Sequence, residues 1–292
     1  MSKRTTSLSA ASSGRFSLGG ELTVNRLGFG AMRLTGGGVW GPPKDPAKAI
    51  AVLRRAVELG INFIDTADSY GPNVSEELIA EALAPYPKDL VIATKGGWNR
   101  PGPNQWTHDA SPAHLRKAVE GSLKRLRLDR IDVYQLHVPD PVVPLDASIE
   151  TLANMQAEGK IRLVALSNVT VEHIERARRI VPIASVQNRY SFADREWDHV
   201  VDYCERNGIA FIPWFPLGAG TVAGRLLERI AKVRQAKPIQ IALAWLLKRS
   251  QVVLPIPGTS SITHLEENVQ AAALQLSEEE YLELTGIVEL AC

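Results

Sequence analysis

Short, continuous apolar runs punctuate the chain at Leu27–Met32, Ile61–Ile64, Leu90–Thr94 and Ile131–Leu136. Four more follow at Ile161–Leu166, Ile183–Gln187, Ile209–Trp214 and Val252–Ile256. They do not alternate with polar residues, which is the pattern of strands buried on both faces. Between them apolar residues recur at helical spacing. Pro46–Leu59 presents Ile50, Leu53 and Val57 and stops at Gly60, and Ser111-Pro112 opens a stretch carrying Leu115, Val119, Leu123 and Leu126. Leu145–Glu158 stops at Gly159 and Asp194–Asn207 at Gly208; Pro238–Arg249 and Ile262–Ala273 follow. Ser277 and Glu280 have capping-box spacing and open a last helix. Strand and helix in steady alternation predict parallel βα units. Eight such units predict an α/β protein with a (β/α)8 TIM barrel, a doubly wound open sheet being the alternative. Ahead of the barrel, Gly19-Gly20 inside Phe16–Arg26 predicts a tight β-hairpin. No linker rich in Pro, Gly or Ser interrupts the series, so residues 15–292 read as one domain and the Ser/Thr-rich residues 1–14 as a flexible tail.

Composition narrows the partners. With 45% apolar residues in 292, the chain can bury a large core. Its 33 basic and 32 acidic side chains leave a net charge of +1, so no global field draws it to nucleic acid or a membrane surface. No apolar stretch reaches the roughly 18 residues of a membrane span. Two cysteines, Cys204 and Cys292, argue against a disulfide scaffold and suit a reducing cytoplasm. Residues 1–14 lack the apolar segment of a secretory signal. A monomer or weak homo-oligomer is expected, with no metal ligand set.

In a barrel the chemistry gathers where the strands end. The second run ends at Asp65 with Tyr70 on the loop beyond it, the third at Lys95 and the fourth at His137. Singly, Asp65 reads as a helix cap, Tyr70 as a loop aromatic, Lys95 as a rim charge and His137 as a core histidine. Together at three successive strand ends they point to proton transfer. A free phenol, with a pKa of about 10, is a poor acid at neutral pH. A neighbouring ammonium favours the phenolate, a carboxylate holds the ammonium, and an imidazole can orient a carbonyl. Such a set protonates a carbonyl oxygen as hydride reaches its carbon, and the hydride must come from a cofactor.

The segments LGFGAMRL, FIDTADSYG, IATKGG, VYQLH, ALSN, VQNRYS, PWFPLG and PIPGTSSITHLEEN stand in an order that resembles the aldo-keto reductases, from the hairpin to the last helix. The resemblance implies that Asp65, Tyr70, Lys95 and His137 are a catalytic tetrad, with Tyr70 the general acid. It implies NADPH lying extended across the barrel mouth, and no GxGxxG joins a strand to a helix here. The implied cofactor contacts begin with Gly30, Met32 and Asp65. Ser167, Asn168 and Gln187 would hold the carboxamide, Trp214 would stack on the nicotinamide, and Pro216, Leu217 and Gly218 would follow the pyrophosphate. Gly258, Thr259, Ser260 and His264 would meet the 2′-phosphate at a helix start, with Glu267 and Asn268 at the adenine. The arginine many relatives place in that phosphate stretch is missing, so NADH stays open as a second cofactor. The short stretch from Leu217 to Pro238 implies a freely exchanged cofactor.

Substrate selection falls to Trp40, Trp98, Trp106 and Phe215 beside Tyr70 and His137, a setting for a flat or aromatic carbonyl. GGGVWGPP, GPN, FPLG and PGTSS resemble the bacterial branch that reduces pyridoxal to pyridoxine, with a broad aldehyde and ketone reductase as the equal alternative. Two other classes compete. A Schiff-base aldolase would use Lys95 but leaves ALSN, VQN and PGTSS without a purpose. A non-catalytic, nicotinamide-sensing regulatory subunit has no use for an intact tetrad.

Overall fold

A computed structural model describes residues 8–216 and 224–289. The hairpin strands β1 (Arg15–Leu18) and β2 (Leu22–Asn25) pair antiparallel, with Gly19 and Gly20 both at positive φ in the turn. Seven parallel strands then curl round one core: β3 (Phe29–Gly30), β4 (Phe63–Asp65), β5 (Val91–Gly96), β8 (Ile131–Leu136), β9 (Ile161–Ser167), β10 (Ile183–Arg189) and β11 (Ala210–Trp214). The eighth stave of the barrel is the Val252–Ile256 run, shortened to a bridge. Phe211 N donates to Val252 O and Leu254 N to Phe211 O, both at 2.8 Å, while Gly28 N donates to Pro255 O at 3.0 Å. Pro255 and Pro257 have no N–H to extend a ladder, so the closure stops there. Closed on both sides, the chain is a (β/α)8 barrel.

Phe63, Val91, Val133, Ile212 and Leu254 fill the barrel interior together with Leu18 and Val24 of the hairpin. The hairpin therefore plugs the N-terminal end. A ring of helices covers the outside: α1 (Pro46–Glu58), α2 (Val74–Leu83), α3 (Pro112–Leu126), α4 (Leu145–Ala157), α5 (Val171–Arg178), α6 (Asp198–Asn207), α7 (Gly224–Arg234), α8 (Pro238–Arg249), α9 (Ile262–Gln270) and α10 (Glu278–Glu289). With one end plugged and the sides covered, the C-terminal mouth is where a ligand reaches the strand ends. The small hairpin of β6 (Trp98–Asn99) and β7 (Thr107–His108) stands on that mouth. No described helix is long and apolar enough to cross a membrane.

Several expectations change. The flexible tail is corrected for its second half: Ala10–Ser13 form a 3-10 turn, Ala10 is fully buried, and Ser13 Oγ accepts from Leu27 N at 2.9 Å. Residues 1–7 and Cys292 lie outside the described residues. Helices α2 and α5 carry no readable stripe. In α2 both polar and apolar residues are buried, Ser75 and Glu76 included, and in α5 only Ile174 and Ala177 are. Helix α6 starts later than its apolar spacing suggests, because Ser191 and Asp194 close a turn first. The Ile262–Ala273 helix divides into α9 and a 3-10 turn at Ala271–Ala273.

Candidate active site

Parallel pairing brings the strand ends level: Asp65 lies beside Ala93 of β5, and Lys95 beside Gln135 of β8. Lys95, with no exposed surface, donates from Nζ to Asp65 Oδ2 at 2.7 Å, to Thr66 O at 2.8 Å and to the Tyr70 hydroxyl at 3.3 Å. The other carboxylate oxygen, Asp65 Oδ1, accepts from Gln135 Nε2 at 2.8 Å and Gln187 Nε2 at 2.9 Å. A buried ion pair persists only when its remaining lone pairs and protons find partners, and the two amides meet that need. Sequence reasoning passed over Gln135. Its signal was present, as a polar residue inside the otherwise apolar run VYQLH.

Tyr70 sits on the loop between β4 and α2, its carbonyl accepting from Ser75 N at the start of the helix. Its ring meets His137 edge-on at 5.9 Å between centroids, and Ser69 Oγ lies 3.4 Å from His137 Nδ1. Burial pushes the Tyr70 phenol above its ordinary value, and the Lys95 ammonium pulls against that shift. Lys95 itself, despite burial acting downward, is held above its ordinary value by Asp65 and Tyr70 and stays charged. Burial and the Lys95 charge drive His137 well below the ordinary histidine value, so the imidazole is neutral at neutral pH. The sequence suggested a phenol simply lowered by lysine. In the structure the phenol is buried, which favours its protonated form, while the lysine beside it can stabilise the conjugate base, and the imidazole it faces is one that burial keeps uncharged. That arrangement is chemically able to deliver a proton to a nearby oxygen.

The tetrad opens into a cavity of about 770 Å³. Gly30, Met32, Ser167, Asn168, Gln187, Trp214 and Pro216 line it on the strand side, with Trp98, Trp106 and Phe215 toward the rim. Asn168, at positive φ, accepts from Trp214 Nε1 at 3.0 Å and donates to His137 O at 2.9 Å, fixing the indole beside the tetrad. Gln187 has spent its amide N–H on Asp65 and Gln135, which leaves its carbonyl oxygen for a ligand. Met32, Arg33 and Gly258 continue into a second cavity of about 680 Å³ lined by Thr259, Ser260, His264, Glu267 and Asn268. Asn268 Oδ1 is buried there without a partner among the described residues, an acceptor suited to the amino group of an adenine. Gly258 is required by the close floor: a Cβ on it would stand 2.5 Å from Gly30 O. The two joined cavities fit an extended dinucleotide. Leu217 and Gly218 lie outside the described residues.

One expected substrate contact stands outside the two cavities. Trp40 lines neither cavity; it bridges to Gly71 and lies over the Arg100 guanidinium at 5.7 Å. Its loop was read from its place after the first strand, which does not say which way an indole turns. Sequence reasoning also missed Arg33 and the backbone of Gly36–Val39, all of which line the second cavity.

The model of the aldo/keto reductase family matches residues 26–289. The chain belongs to the aldo/keto reductase family. It is therefore an oxidoreductase that interconverts carbonyls and alcohols with a nicotinamide cofactor. It is 48% identical to pyridoxine 4-dehydrogenase of Escherichia coli, over 94% of this chain and 99% of that one. It is 52% identical to an uncharacterized oxidoreductase of Schizosaccharomyces pombe, over 91% of this chain and 87% of the other. Among solved structures, a glycerol dehydrogenase from Gluconobacter oxydans superposes with a TM-score of 0.86 at 26% identity, covering 95% of this chain and 96% of that one. An aldo-keto reductase from Klebsiella pneumoniae, solved with NADPH, gives 0.78 at 26% identity, with 94% of each chain covered.

Proposed function

We propose that this aldo/keto reductase uses NADPH to reduce an aldehyde, pyridoxal foremost, to its alcohol. The reading is carried by the Tyr70 hydroxyl, held 3.3 Å from the buried Lys95 ammonium at the base of the 770 Å³ cavity. The residues lining the two joined cavities, Asn268, Gly258 and Gln187 among them, would hold NADPH, which would supply the hydride. Neutral His137 donates a hydrogen bond that orients the carbonyl oxygen toward Tyr70. Tyr70 gives that oxygen its proton, and Lys95, fixed by Asp65, stabilises the phenolate that remains. Trp98, Trp106 and Phe215 present flat apolar surface, which suits a pyridine ring and excludes water from the reacting carbon. The likeness to pyridoxine 4-dehydrogenase supports pyridoxal as substrate. The same aromatic wall favours a second reading, a reductase of many aldehydes and ketones. The low cysteine content, two in 292 residues, supports a reducing compartment, the cytoplasm.

A carbonyl panel that includes pyridoxal, followed at the NADPH absorbance band with NADH in parallel, separates the two. Preference for pyridoxal by about ten-fold or more in kcat/KM supports the first reading, and equal rates across the panel the second. Tyr70→Phe, which keeps the ring and removes the proton, is expected to lose turnover by about 10²–10⁴ while still binding NADPH. Undiminished turnover would remove Tyr70 from its role.

A further inference from the structure

Arg100 lies outside the tetrad, in the hairpin that follows Lys95, yet it ties the tetrad's surroundings together. Its Nε donates to Gln105 O at 2.9 Å within its own hairpin. Nη1 donates to Val39 O and to Ser69 O, both at 2.9 Å, and Nη2 to Gly38 O at 3.1 Å. These carbonyls belong to the loops after β3, β4 and β5. The guanidinium face also lies 3.7 Å from the centre of the Trp106 ring. Burial holds this guanidinium below its ordinary pKa. A partly desolvated cation is costly to keep on carbonyls alone, and the planar fork is what lets one side chain reach several acceptors at once.

Each partner belongs to a different part of the site. Gly38 and Val39 line the second cavity. Ser69 precedes Tyr70 and places its hydroxyl beside His137. Trp106 forms part of the carbonyl cavity wall. We propose that Arg100 is a positioning residue that couples filling of the second cavity by the cofactor's adenosine end to the shape of the carbonyl pocket. A ligand seated against Gly36–Val39 holds the Gly38 and Val39 carbonyls. The guanidinium, bonded to them, then holds Ser69 and Trp106 in the arrangement that receives substrate. Coupling of this kind is reciprocal: each ligand raises the affinity of the other by the same factor. The inference rests on the NADPH reading above.

The test uses 2′-phospho-ADP-ribose, which is NADPH without its nicotinamide, so no ring contact can account for an effect on the carbonyl pocket. Pyridoxine, the alcohol product, reports that pocket without turnover. Tryptophan fluorescence titrations give the affinity of each probe alone and with the other saturating. In the wild-type protein each is expected to tighten the other by about five-fold or more. In Arg100→Met the factor is expected to fall to about one, and in Arg100→Lys as well, since a compact ammonium cannot span three loops. Thermal melts establish that the variants are folded. Gly38→Ala attacks the same joint from the other side: Gly38 has φ +69°, and a Cβ there would stand 2.9 Å from Asn104 Oδ1. It too is expected to lower the factor with Arg100 in place. A wild-type factor of one, or an Arg100→Met protein that keeps the wild-type factor, overturns the proposal while both probes still bind. Failure of the wild-type protein to bind either probe overturns the cofactor and substrate reading on which the proposal rests.

Discussion

Lys95→Met separates what the buried ion pair does for the fold from what it does for the reaction. In the variant the Asp65 carboxylate, 2% exposed, keeps only the amide donors of Gln135 and Gln187. Removing one partner of a buried pair costs about 3–5 kcal/mol, because the other charge stays desolvated. Methionine fills the space of the lysine stem, so packing contributes little to that figure. Tyr70 meanwhile loses the ammonium that opposes its burial, and its phenolate becomes harder to form. Loss of general-acid efficiency predicts a fall in kcat of about 10²–10⁴. Urea titration gives the first quantity and NADPH oxidation with saturating aldehyde the second. The companion variant Asp65→Asn/Lys95→Met removes both charges, so it is expected to recover most of the lost stability and none of the turnover. A single variant that unfolds at the wild-type midpoint, or a double variant that regains turnover, would refute the reasoning.

Asp68 offers a pH test. Its Oδ1 is buried with no partner among the described residues, and burial, reinforced by the Glu76 charge, pushes the carboxyl up to about 8. The unfolded carboxyl titrates at about 4, so stability is full below that pH and falls as pH rises through about 8. Asp68→Asn is expected to abolish that slope; urea midpoints compared at mildly acid and mildly alkaline pH read it, and an unchanged slope would exclude Asp68 as its source. Ser260→Arg supplies a guanidinium to the second cavity and is expected to raise the NADPH-over-NADH affinity ratio by about ten-fold, with equal ratios before and after counting against a 2′-phosphate site there. Gly258→Ala brings a Cβ within 2.5 Å of Gly30 O and is expected to cost about 1–3 kcal/mol and to weaken NADPH binding, both absent if the floor can yield.

Much of the fold was legible because burial leaves a periodic trace. Continuous apolar runs and helical stripes located the strands and most of the helices, and the ends of those runs located Asp65, Lys95 and His137. Helix α2 escaped because it buries polar and apolar residues alike, with Glu76 bonded to Thr94 and Arg125. The packed turn at Ala10–Ser13 escaped because small polar residues read as a tail until Leu27 is seen donating to Ser13.

Taken alone, the sequence determined the class of architecture, the end of the barrel that carries chemistry, and the residue types available there. Only the tertiary structure decided how they work together. Asp65 meets Gln187 across 122 residues, and Arg100 reaches Val39 across 61. Periodicity reports that a side chain is buried; it does not report which distant side chain shares its pocket. It could not set Trp106 in the cavity wall and Trp40 outside it, with the Arg100 guanidinium against both indoles, or show burial opposing lysine at Tyr70. Those outcomes depend on the closing of the barrel, which brings loops from separate βα units within hydrogen-bonding distance.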